Sequence, residues 1–88
     1  MKTVWKYDLY PAEYTDLLVP SGAQVLTAQT QGGKPQLWAL VDPDAALEPR
    51  RFVVLGTGHT YSKPLGQYIG TFQLDGGVLV FHVFEVPV

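Results

Sequence analysis

Ala23-Gln24-Val25-Leu26-Thr27-Ala28-Gln29-Thr30, then Gln31-Gly32-Gly33-Lys34, then Pro35 and Gln36-Leu37-Trp38-Ala39-Leu40-Val41, decide the fold. The first segment reads as a strand rich in β-branched residues. Paired glycines accept the positive φ of a tight turn, so Gln31 to Lys34 reads as a hairpin turn. Gln36 to Val41 returns as the partner strand. A second hairpin joins Tyr68 to Leu74 with Val78 to Val86 around Asp75-Gly76-Gly77. Outward from these, Thr3 to Leu9 is a strand ended by Pro11, with a turn or one helical turn over Ala12 to Asp16. Leu17 to Val19 is a brief strand or edge segment, stopped by Pro20-Ser21-Gly22. Asp42 to Pro49 is a loop between two prolines whose middle can make one helical turn, capped by Asp42 or Asp44. Arg51 to Leu55 is a strand, and Gly56 to Gly66 is a long polar loop.

Nine glycines and seven prolines leave little room for a long helix. The expectation is one all-β domain over residues 1–88, a six- to seven-stranded, mainly antiparallel barrel or sandwich. The chain has 88 residues, no cysteine and a formal charge of −2. Thiolate metal sites and disulfides are thereby excluded. The slight acidity argues against general nucleic-acid binding. No stretch reaches the roughly 20 apolar residues of a membrane span. Charge interrupts the N-terminus before any leader-like apolar segment forms, so no signal peptide is expected.

Charged residues are only 16% of the chain against 47% hydrophobic. In Val78 to Val86 and in Gln36 to Val41 both strand faces are apolar. Two arrangements hide such faces. Either the sheet closes into a small barrel with loops over it, or one face meets a second protomer. A homo-oligomer is the expectation.

The chemistry gathers in Arg50-Arg51-Phe52-Val53-Val54-Leu55-Gly56-Thr57-Gly58-His59. A glycine-rich bend can turn N–H groups toward an anion, and arginine can clamp it bidentately. The candidate ligand-binding residues are Arg50, Arg51, Gly56, Thr57, Gly58 and His59, with Tyr61 or Trp38 stacking on a base. The segment matches neither a dinucleotide fingerprint nor a phosphate-binding P-loop. Adjacent strand positions point Arg50 and Arg51 to opposite faces. A plain structural role would pair them with Asp42, Asp44 or Glu48. His82, mid-strand among valines and phenylalanines, reads as a satisfied core or interface histidine. No metal, cofactor or catalytic set is identified, and a non-enzymatic role is expected.

Trp38-Ala39-Leu40-Val41-Asp42-Pro43-Asp44-Ala45, Glu48-Pro49-Arg50-Arg51-Phe52 and Gly56-Thr57-Gly58-His59 resemble the signature of a family of short bacteriophage and prophage proteins of unknown function. Lys6-Tyr7, Val19-Pro20-Ser21-Gly22-Ala23, Tyr68-Ile69-Gly70-Thr71 and Phe81-His82-Val83-Phe84-Glu85 extend the resemblance over nearly the whole chain. It departs at Thr60, where the family's pattern has proline. The resemblance implies a viral accessory protein in the cytoplasm of a bacterial host and carries no catalytic residue with it. Such proteins disarm host defence by coating a host protein or by sequestering a nucleotide messenger. The expected role is binding of a small anionic, nucleotide-type ligand. The alternative is a protein–protein module that inhibits a host protein or forms a minor phage component.

Overall fold

The computed structural model describes residues 1–10 and 14–88. Seven strands are present among them: β1 (Thr3–Asp8), β2 (Thr15–Pro20), β3 (Gln24–Gln31), β4 (Lys34–Val41), β5 (Leu47–Gly56), β6 (Tyr68–Leu74) and β7 (Leu79–Val86). All pairings are antiparallel, in a three-stranded sheet ordered β1-β4-β3 and a four-stranded sheet ordered β2-β5-β7-β6. The architecture is therefore a small β-sandwich. The β3–β4 hairpin turns through Gly32 (φ 57°) and Gly33 (φ 77°), the left-handed pair that its sequence demands.

Two expected elements differ. The turn expected over Ala12 to Asp16 lies partly outside the described residues, and Thr15 and Asp16 already open β2. The loop after Asp42 makes a tight turn, with the Asp44 N–H donating to Asp42 Oδ1 at 3.1 Å, and not a helical turn. β5 starts at Leu47 because Leu47, Glu48 and Pro49 find partners in Pro20, Val19 and Leu18.

Alternation sets the core. Leu37, Ala39 and Val41 of one sheet face Phe52, Phe72 and Val83 of the other, all nearly or fully buried. Burying a side chain of that size contributes about 1.5–3 kcal/mol. The sheets come together along β3 and β6, where each strand carries a register shift, at Leu26 and Ile69. Such bulges bend a strand. Gly70 meets the Ala28 backbone there so closely that a Cβ would lie 3.0 Å from the Ala28 carbonyl oxygen. β1 and β2, at the opposite margins, make no comparable approach.

β5 and β6 flank β7 and both run antiparallel to it, so they run parallel to each other. The connection between them must therefore travel the length of the sheet. The inner face is occupied by the other sheet, so loop 57–67 crosses the outer one. It ends alongside β7, where the Glu85 N–H donates to the Gln67 carbonyl at 2.8 Å. Val53 lies on that outer face opposite Phe84 and is nonetheless only 1% exposed. The loop thus hides the middle of this second face at Val53, while Leu18 and Tyr68 nearer its margins stay exposed.

Gly70→Ala forces a methyl group into the β3–β6 seam. It is expected to lower stability by about 1–3 kcal/mol, a Tm decrease of roughly 5–20 °C in a thermal melt.

Candidate functional site

Arg50 and Arg51 leave β5 on opposite faces, as adjacent strand residues must. Arg50 faces inward. Its Nε and Nη2 donate to the two Glu85 carboxylate oxygens at 2.6 and 2.7 Å, and Nη1 donates to the Ala23 carbonyl at 2.6 Å. The guanidinium thus joins β5, β7 and the turn entering β3. The Glu85 hydrogen bonds hold its pKa above the usual arginine value, against an opposing effect of desolvation. Side-chain exposures of 20% and 22% make this a partly buried pair.

Arg51 faces outward. Its Nε and Nη2 donate to Asp16 at 2.7 and 2.9 Å, and its guanidinium carbon sits 3.9 Å from the centre of the Tyr14 ring. The Arg51 hydrogen bond holds the Asp16 carboxyl below its usual pKa. The local partners expected from sequence, Asp42, Asp44 and Glu48, are replaced by carboxylates 35 positions away in either direction. The β2–β5 and β5–β7 registers cause this, because Asp16 stands directly opposite Arg51 and Glu85 opposite Phe52.

The Gly56–His59 bend is also engaged. The Thr57 N–H donates to the Val80 carbonyl and the His59 N–H to the Gly56 carbonyl, both at 3.0 Å. Two of the amides expected to cradle an anion are thus spent on backbone bonds. Gly58 supplies the left-handed φ of 87° that the bend needs. The His59 ring lies over Gly56, where a Cβ would be 3.0 Å away. The Thr57 hydroxyl turns instead to His82, 2.7 Å from Nε2, while Nδ1 lies 3.0 Å from the Thr71 hydroxyl and Tyr68 continues the chain at 2.6 Å. His82 is accordingly a satisfied histidine on the outer sheet face. The Thr57–His82 pair resembles a nucleophile–base pair in distance alone. Its Nδ1 meets a hydroxyl, where catalysis would want a carboxylate to orient the ring.

The eight candidate residues do not share one cavity. Gly56, Thr57 and His59 line a recess of about 230 Å³ with Val78 and Phe81. Loop 57–67 carries Tyr61 to the far end of the sheet, where it lines a cavity of about 160 Å³ with Arg51, Tyr14 and Lys63. Trp38 is on β4, opposite Lys6 and Thr27, in the other sheet. Arg50 is held inside by Glu85. Sequence reasoning missed Asp16, Tyr14, Glu85 and Lys63. Only Glu85 carried a signal, being the sole acid in a strand that is apolar but for His82. Among the described residues no group of three His, Cys, Asp or Glu is placed to hold a metal ion.

Glu85→Gln removes the charge that Arg50 pairs with and is expected to lower stability by about 1–2 kcal/mol, read as a thermal or urea midpoint. Arg51→Ala gives a pH-dependent difference. Asp16 has a lowered folded-state pKa, so its contribution is present above the ordinary Asp pKa of about 3.9 and is lost as pH falls through the lowered value. The Tm gap between the native chain and Arg51→Ala is therefore expected to be larger at pH 7 than near pH 2.

No curated protein and no solved structure matches this chain at a significant level. A family model does match, along residues 1–88: the chain belongs to the family described as a domain of unknown function, DUF7352.

Proposed function

We propose that this chain is a non-enzymatic protein-interaction module. The observation that carries this reading is the outer face of the three-stranded sheet. Val4 and Leu40 stand opposite each other there, Trp38 follows on the same side of β4, and Leu26 protrudes from the β3 bulge. Val4 is 51% exposed and Leu26 is 44% exposed. Loop 57–67 lies over the other sheet and so does not cover this face, where Trp38 and Leu40 are half-buried. Aromatic anchors amid aliphatic contacts are what protein partners bury at the centre of an interface. The flanking residues, Lys6, Asp8, Gln24 and Gln29, suit a polar rim.

The anionic-ligand reading has less support. Both arginines are paired with carboxylates, and two amides of the bend are bonded. What remains of it is the Arg51–Tyr61–Lys63 cavity. At about 160 Å³ it is below the roughly 300 Å³ at which ligand pockets begin. The resemblance to bacteriophage and prophage proteins supports a viral accessory role in a bacterial host, with a host protein as the partner that the apolar face covers.

The test is capture from bacterial lysate on the immobilised chain. Leu26→Lys and Trp38→Ala are expected to weaken retention of a stoichiometric partner by about 30-fold or more, with far-UV spectra unchanged, while His59→Ala retains it. Capture that is indifferent to both face variants sinks the reading. So does saturable calorimetric heat with a nucleotide that Arg51→Ala abolishes.

A further inference from the structure

Among the described residues the outer edge of β1 has no partner strand. β4 pairs with it on one side only, and five of its six residues are exposed. The Leu9 N–H donates to the Pro35 carbonyl at 3.2 Å, and the β1–β4 register continues from that pair through Tyr7–Leu37, Trp5–Ala39 and Thr3–Val41. Hydrogen-bonded pairs alternate in an antiparallel ladder. The odd residues of β1 therefore bond to β4. Lys2, Val4, Lys6 and Asp8 direct their N–H and C=O groups outward, unpaired in the sheet.

From this geometry we infer that β1 pairs antiparallel with β1 of a second copy, about a two-fold axis through Trp5. Only registers that set even residue against even residue can form the ladder. Centring on Val4 sets Lys2 against Lys6, and centring on Lys6 sets Lys6 against its own copy. Like charges directly opposite are destabilising. Centring on Trp5 sets Lys2 against Asp8 twice and Val4 against Lys6 twice. Centring on Tyr7 pairs Lys6 with Asp8 but engages only the last three residues of each strand. The Trp5 register alone pairs the whole strand with opposite charges facing.

It also brings the two Trp5 residues together at a non-hydrogen-bonded site, where side chains approach most closely. Trp5 points to the core side of its sheet yet is 38% exposed, more than a core-facing tryptophan needs to be. The partner's ring covers it. The margins at β3 and β6 lie against each other, and β2, the remaining margin strand, carries one charged side chain, Asp16, already bound to Arg51, so no self-pairing of β2 brings opposite charges together. The two-fold axis stands perpendicular to the sheet. Both copies therefore present Val4, Trp38 and Leu40 on the same side, in one six-stranded face. The pairing does not depend on what that face binds.

Sedimentation equilibrium of the intact chain is expected to give twice 9.7 kDa. Asp8→Lys sets Lys2 against a new lysine and is expected to raise the dimer Kd at least tenfold at low salt, and Lys2→Glu combined with Asp8→Lys restores it. Lys6→Pro removes an outward N–H without touching the β4 ladder and is also expected to dissociate the dimer. The chain has no cysteine, so Trp5→Cys is expected to yield a disulfide-linked dimer on mild oxidation, the facing Cα atoms lying about 4.5 Å apart. A monomer at millimolar concentration overturns the inference. So does a dimer insensitive to Asp8→Lys and Lys6→Pro, or one that cross-links through Tyr7→Cys and not Trp5→Cys.

Discussion

The parallel relation of β5 and β6 on either side of β7 constrains everything else in this small sandwich. Two parallel strands cannot be joined by a tight turn. Their link must cross the sheet, and the packed core leaves it only the outer surface. One crossing thus covers Val53 on the outer face of the four-stranded sheet and delivers Tyr61 beside Arg51. It also divides the chemistry that lies adjacent in sequence. His59 stays at one end of the sheet and Tyr61 goes to the other.

The two arginines show how opposite strand faces turn one dipeptide into two separate devices. Arg50 spends its donors on Glu85 and on the Ala23 carbonyl, and so fastens the sheets to each other. Arg51 lies outside, bound to Asp16 and stacked on Tyr14. Neither guanidinium has the unneutralised fork that bidentate anion recognition would use. Both charges are paired with carboxylates within the fold. The outer face of the other sheet carries exposed Val4 and Leu26 beside half-buried Trp38 and Leu40. The proposed partner-binding face lies there, away from the Gly-Thr-Gly-His bend.

Much of the fold was legible. The Gly32–Gly33 turn, the second hairpin and the strand segments followed from side-chain alternation and from the φ angles that glycine allows. Leu47 to Pro49 read as loop because two prolines bracket the segment, yet cross-strand partners in β2 draw it into β5. The candidate site was less legible. Seven of its eight residues were grouped by nearness in sequence, and a strand end followed by a long crossover separates such neighbours by the length of a sheet.

By itself, the sequence determined an all-β domain, its turns, the opposite aims of Arg50 and Arg51, and the excess of apolar strand faces. Only the tertiary structure decided which carboxylates meet those arginines, which apolar face the loop covers, and which strand is left with an open edge. The reason is one of range. Alternation and turn geometry are set by residues a few positions apart. Ion pairs 35 positions apart, and the bareness of β1, depend on strand order, which the local pattern does not encode.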